Sequence, residues 1–225
     1  MYSKAFPEEK VKVETVFRGE NIVINDIAED TRLFTIDPAI WCKLFKKDFL
    51  IENDIRFLES MLAEDFYFFI VSLFKSSCTV YLDDFYSYNY FIRNVEGDKS
   101  TIHIRNKKYL GKMVEGYYKI EEFLIDSNLC RYYTDIFNMH FVYWITSLIM
   151  SDIPDSEKLE LVSSVNELLK KDVKVLPGFN ERIYNNLTKP ILEDDYEGIV
   201  KNINNIKRYR GILKYLSGNL LKTRR

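Results

Sequence analysis

Two adjacent carboxylates, Glu64 and Asp65, stand at the front of a strongly apolar run that extends from Phe66 to Phe74. Neighbouring positions of a helix point about 100° apart, so the two groups are not expected to share one task. A carboxylate in the first turn of a helix is favoured by the helix dipole. Held at the edge of a cleft, it is placed to take a proton from a hydroxyl as a general base. The simpler alternative is a dipole-stabilising pair with no further role. Other chemistry has little to stand on. The chain has no GxGxxG, no GxxxxGK[ST] and no GxSxG, which leaves dinucleotide, P-loop and esterase-type sites without a sequence basis. Its two histidines, His103 and His140, and three widely spaced cysteines, Cys42, Cys78 and Cys130, form no zinc pattern. The cysteines are expected as small buried hydrophobes in a reducing cytoplasm.

The elements that would position such a site follow from composition and pattern. The 225 residues are 47% hydrophobic and 15% aromatic, with only 8 Gly and 5 Pro. Much core-forming material and few breakers predict long helices and exclude a turn-rich sandwich or barrel. The chain reads as two parts, an α/β part over residues 1–105 and an all-α part over 106–225. In the first part, Asn21–Asn25 and Arg32–Ile36 have strand character, with a hairpin loop over Asp26–Thr31. Asp37-Pro38 has the form of a helix start, with Ile40, Trp41, Leu44, Phe45 and Phe49 on one face. A second, deeply buried helix is expected over Leu58–Ser76, then strands over Thr79–Leu82 and Phe85–Phe91. In the second part, helices are expected over Lys107–Ile125, Leu129–Met150, Ser156–Lys170, Phe179–Leu187 and Ile203–Leu221.

Five short elements surround the acid pair in a fixed order: Trp41, Lys43, Leu44 and Phe45; Phe57 and Glu59; Glu64 and Asp65; Tyr86 and Tyr88; then Arg93 and Ser100. This order resembles the second half of family 2 glycosyltransferases of the GT-A fold, in particular bacterial enzymes that build wall teichoic acid, capsule and other surface polysaccharides. The resemblance spans about residues 32–104. It implies an α/β, partial GT-A acceptor half in which Asp65 is the catalytic base for an acceptor hydroxyl. That hydroxyl attacks the anomeric carbon of a nucleotide sugar in one inverting displacement. It implies that Glu64 contacts the acceptor or orients the loop. Glu59 and Lys43 join the substrate-contacting set, Lys43 as part of the cleft wall. Arg93, Ser100 and His103 fall where the family carries a mobile loop over the donor diphosphate, and Arg suits two phosphate oxygens at once. Trp41 is expected in the core. The family's first half, with its D-x-D, has no counterpart here. The chain is therefore read as the acceptor half alone. A divalent metal (Mg or Mn) is expected only with the missing donor half, and no metal ligand is assigned to this chain.

Charge is unevenly spread. The net charge is −2. Eight Lys or Arg and no Asp or Glu lie between Lys201 and Arg225, so the first 200 residues carry −2 − 8 = −10. Such a tail suits an anionic partner, either a polyol-phosphate polymer or an anionic membrane face, contacted through residues 207–225. Related enzymes often use a C-terminal extension for oligomerisation or acceptor-polymer binding. A non-catalytic assembly or polyanion-binding protein, descended from a truncated transferase, is the competing expectation. Nucleic acid is not expected, because no reader motif is present and the rest of the chain is acidic. The first ten residues lack the apolar core of a signal peptide. The apolar stretch Phe137–Met150 is too short to span a bilayer. The expected setting is the cytoplasm, at the inner face of the membrane.

Overall fold

The computed structural model describes residues 2–6, 9–12, 17–59, 61–83, 85, 90–91, 105–172, 187 and 189–222. The described chain is mainly helical and divides into two compact units. One is Met1–Ile104 with Glu115–Ile136; the other is Arg105–Val114 with Phe137–Arg225.

The first unit holds two small sheets. Strand β1 (Tyr2–Phe6) pairs antiparallel with β2 (Glu9–Lys12) and parallel with β5 (Tyr90–Phe91). Strand β3 (Ile22–Ile24) pairs antiparallel with β4 (Thr79–Tyr81), Val23 opposite Val80. The expected hairpin between residues 21–25 and 32–36 is therefore replaced. Thr31–Thr35 forms a 3₁₀ turn, capped by the Asp30 carboxylate on the Arg32 N–H. Leu33 and Phe34 are each 1% exposed. Adjacent residues of a strand face opposite ways, so a tight turn suits two buried neighbours better.

The helix expected at Asp37-Pro38 does not form there. Asp37 caps the Ala39 N–H at 2.9 Å. The chain then makes one 3₁₀ turn, Ile40–Cys42, and the α-helix α1 comes later, at Lys47–Glu52. The Lys43 ammonium binds the carbonyls of Asp37 and Ala39. Carbonyls satisfied by a side chain do not need the next turn of a helix. Trp41 is consequently 36% exposed and Leu44 is fully exposed, against the shared apolar face expected of them.

Helix α2 (Glu64–Lys75) is shorter at its start than the expected 58–76 and is buried on most sides, as its aromatic content requires. Ile55, Phe68 and Val71 form a cluster with Ile40, Phe45, Phe49, Leu50, Tyr67 and Phe123 packed on it. Phe57 stacks on Phe68 at 4.2 Å between centroids, and Phe45 meets Phe68 edge-on at 5.2 Å. Phe34, Phe74 and Tyr132 form a second aromatic group, each pair within 5.7 Å. Full burial of one such side chain is worth about 1.5–3 kcal/mol, so α2 is anchored chiefly by its rings.

From Lys107 onward every described element is helical. Helix α3 is Lys107–Asp126 and α4 is Tyr133–Met150, the latter entered through a 3₁₀ turn at Cys130–Tyr132. Helix α5 is Asp155–Asp172 and α6 is Tyr196–Lys222. The helix expected over 179–187 lies outside the described residues, apart from Leu187. In the second unit, Trp144 is buried and donates its indole N–H to the Leu110 carbonyl at 3.1 Å. Phe137 and Phe141 stack at 5.0 Å. Cys78 and Cys130 are exposed and Cys42 is half-buried, so the expectation of three buried thiols is corrected. Among the described residues, no helix is long and apolar enough to cross a membrane.

Candidate active site

Two segments of the first unit meet around Asp65. One is the turn Asp37–Lys43. Lys43 Nζ donates to the Asp37 carbonyl at 2.6 Å and to the Ala39 carbonyl at 2.8 Å. It also lies 3.5 Å from Cys42 Sγ and 4.6 Å from the centre of the Phe69 ring. The Cys42 thiol donates to the same Ala39 carbonyl at 3.1 Å. An ammonium has three donors and no acceptor, and here it finds two carbonyls, a sulfur and a ring face. This wrapping holds the turn closed.

The other segment is the start of α2. Ala63, the residue before the helix, has φ +64° and no side chain to cap the first turn. A left-handed alanine is strained and needs support from outside. Gly116 of α3 lies against the Leu62 carbonyl and Ala63 and leaves room for that backbone. The helix then opens with Glu64 and Asp65 in its first turn.

The Asp65 carboxylate is half-buried in the first turn of α2. Burial holds its pKa above the ordinary carboxylate value. The Ile40 N–H and the Lys43 charge act against that rise, and the nearby Asp37 carboxylate adds slightly to it. Lys43 is pushed the opposite way. Burial lowers its ammonium, while Cys42, Asp37 and Asp65 restore part of the loss. Asp65 is therefore a half-buried carboxylate whose basicity burial raises. These are the attributes a general base needs.

Of the residues expected in the site, Lys43 reaches the helix that carries Asp65, its ammonium 4.6 Å from the centre of the Phe69 ring. Glu64 is half-buried beside Asp65 but is not among the groups acting on it. Glu59 is exposed in a turn ahead of α2. Arg93, Ser100 and His103, with Tyr86 and Tyr88, lie outside the described residues. His140 belongs to α4 in the second unit, where burial pushes its imidazole down to about 3 and keeps it neutral. Sequence reasoning missed the parts that Asp37 and Cys42 play in the turn. Asp37 carried a usable signal, since Asp followed by Pro favours capping two residues on. The Cys42 thiol carried none.

Among the described residues no three His, Cys, Asp or Glu side chains are grouped to hold a metal. No protein-family model, curated protein or solved structure matches the chain.

Proposed function

We propose that this chain is the acceptor-side half of an inverting glycosyltransferase of the GT-A class, followed by a helical region that contacts the acceptor polymer. Asp65 takes the proton of an acceptor hydroxyl. The oxygen attacks the anomeric carbon of a nucleotide sugar, and the nucleoside diphosphate leaves from the opposite face. Glu64 and Glu59 lie on the acceptor side, with Arg93, Ser100 and His103 toward the donor diphosphate. The nucleotide and its metal, Mg or Mn, belong to a donor half supplied elsewhere. The acceptor is a surface polysaccharide or polyol-phosphate polymer, and the work takes place in the cytoplasm at the inner face of the membrane.

One observation carries this proposal. Lys43 and Asp65 belong to two separate elements of the five-part pattern, and the Lys43 ammonium lies 4.6 Å from the ring of Phe69 on the helix that Asp65 helps to open. That proximity supports reading Asp65 as the general base. The test joins the full chain to a verified donor half and offers a panel of nucleotide sugars with polyol-phosphate acceptors, reading nucleoside diphosphate release. Asp65→Asn should cut turnover by about 10²–10⁴-fold and leave nucleotide binding intact. Unchanged turnover removes Asp65 from the role, and no product from the joined wild-type halves overturns the proposal.

A second function, non-catalytic binding of a polyanion or an anionic membrane face, draws on a different observation. The acid-free segment from Lys201 to Arg225, with its eight cations, lies almost wholly on one continuous helix, α6. It predicts binding to anionic vesicles that weakens as salt rises. Salt-independent binding, or none, excludes it.

A further inference from the structure

We propose that the groove between α5 and α6 binds the phosphate ester of a polyol or sugar, with Lys201 and Arg208 holding the phosphate and Asn205 and Glu197 meeting the hydroxyls. The two helices pack on each other in the second unit and leave a groove of about 440 Å³ between them. Its apolar wall is Leu159 of α5 and Val200 of α6, the latter 4% exposed. Glu197, Lys201, Asn204 and Arg208 follow on α6 at steps of four, three and four, so they form one line along the groove. Lys201 and Arg208 stand two turns apart, about 10.5 Å along the axis. Their long stems can converge on one group lodged midway, at the level of Asn204 and Asn205. The lysine brings a compact charge, and the arginine brings a fork that fits two phosphate oxygens.

The polar groups of the groove divide by whether they are already engaged. Asp155 accepts from Lys158 at 3.1 Å and from Asn204 at 2.9 Å, so its charge is met within the unit. Asn204 is occupied by the same ring, since it also accepts from Lys158 at 2.6 Å. Glu197, Lys201, Asn205 and Arg208 are exposed, and among the described residues no hydrogen bond or ion pair engages their side chains. What the groove offers a ligand is therefore two cations and an amide, with one carboxylate a turn beyond. The cations call for an anionic group. The carboxylate repels a second anion and accepts from a hydroxyl. The apolar wall lowers the dielectric on one side and strengthens both charges. A second hollow, of about 520 Å³, shares Leu159 and Glu197 with the groove. Its acids are engaged, Asp194 by Lys170 and Asn166 and Asp195 by the Gly198 N–H, so a longer chain can run on past Glu197. The site deepens the proposed contact with a polyol-phosphate acceptor, and it rests on that reading only for where the ester comes from.

The experiment titrates the full chain with glycerol 3-phosphate and follows its backbone amide NMR signals. Glycerol and sulfate are the comparison probes, and vesicles of phosphatidylglycerol form a separate arm. Saturable shifts should centre on residues 197–208 and on Leu159. Glycerol should give none, and sulfate should bind more weakly than the ester. Arg208→Gln and Lys201→Gln should each weaken binding about tenfold and leave the melting temperature near that of the parent. Lys119→Gln removes an exposed charge on α3 of the first unit and should bind the ester as the parent does. Any one of three results overturns the proposal: no saturable shift, sulfate bound as tightly as the ester, or an equal loss in Lys119→Gln. The vesicle arm separates the sources of the ester. Vesicles bound through the same two cations, alongside the soluble ester, support the groove and assign the ester to a lipid headgroup. The soluble ester bound without vesicles supports it and assigns the ester to a polymer. Vesicles bound by a chain that ignores the soluble ester overturn it in favour of a membrane-facing helix. No nucleotide sugar or donor half enters, so joined halves that make no product would sink the transferase proposal and leave this one standing.

Discussion

Gly116 of α3 lies so close to the Leu62 carbonyl that a Cβ there would stand 2.1 Å from the oxygen and 3.1 Å from the Ala63 Cβ. The partner is backbone, which cannot swing aside as a side-chain tip can. It is also the backbone that leads into Ala63, whose φ of +64° sets where α2 begins. Gly116→Ala should therefore act at a distance. Overpacking of this kind costs about 1–3 kcal/mol. The same displacement should shift the first turn of α2 and loosen the bond from the Tyr67 N–H to the Ala63 carbonyl, 2.9 Å long. Urea unfolding with amide exchange at Tyr67 checks both effects. A variant as stable as the parent, with Tyr67 equally protected, would show that the close approach does not position the helix.

Asp65 itself should cost the fold stability, and the sign follows from its shift. Its folded pKa lies above the ordinary value of 3.8 because burial disfavours the charge. Below 3.8 the group is neutral in folded and unfolded chains alike, and the cost is absent. As pH rises through the folded pKa the cost becomes fully present and remains at neutral pH. Asp65→Asn is expected to be more stable than the parent at pH 7. The gain should fade as pH is lowered toward 3.8. Paired melting curves at the two pH values decide it. A destabilising Asp65→Asn at pH 7 would mean that burial of the charge is not the dominant effect.

These two positions also show what the sequence could and could not reveal. The buried character of α2 was legible because its aromatic residues leave no polar face, and the helices from Lys107 onward were legible from their apolar spacing. The start of α2 was not legible. It depends on a left-handed Ala63 held by a glycine more than fifty positions away, and no local pattern encodes that. The turn Asp37–Lys43 misled for a related reason. Asp-Pro does cap, but the Lys43 ammonium takes the carbonyls that a helix would have used. Strand character over Arg32–Ile36 likewise yielded to the Asp30 cap and to the joint burial of Leu33 and Phe34. Of the site, the residue types at 43 and 65 were readable. That the Lys43 ammonium lies beside α2 was a tertiary fact.

In the second unit, Lys158 is only 5% exposed, and its ammonium donates to Asn204 Oδ1 at 2.6 Å and to Asp155 Oδ1 at 3.1 Å. Asn204 closes the ring by donating to both Asp155 oxygens at 2.9 Å. The asparagine is thus the acceptor for a buried cation and the group that orients its counterion. Asn204→Ala leaves that cation short of its closest acceptor, and such a loss costs about 1–3 kcal/mol. Asn204→Asp restores an acceptor and should recover much of the loss. Denaturant midpoints for the two variants, with unchanged slopes, would bear this out. Equal midpoints for Asn204→Ala and the parent would show that Lys158 finds its partners elsewhere.

Adjacent cations of α6 should divide between folding and binding. Lys207 is anchored to the Ser151 carbonyl and to the Asp152 carboxylate at 2.7 Å, so its charge is already spent inside the second unit. The pairing lowers the Asp152 pKa. Arg208 is exposed one position on. If the basic helix meets an anionic polymer or membrane, Arg208 is free to approach it and Lys207 must first give up two partners. Arg208→Gln should therefore weaken binding to vesicles containing anionic lipid while leaving the melting temperature close to that of the parent. Lys207→Gln should do the reverse, lowering stability by up to about 1 kcal/mol with a smaller effect on binding. Both effects should shrink at high salt, since exposed charges are screened within about 8 Å at physiological ionic strength. Equal losses of binding from the two variants would mean that the Asp152 pairing opens when the anion arrives.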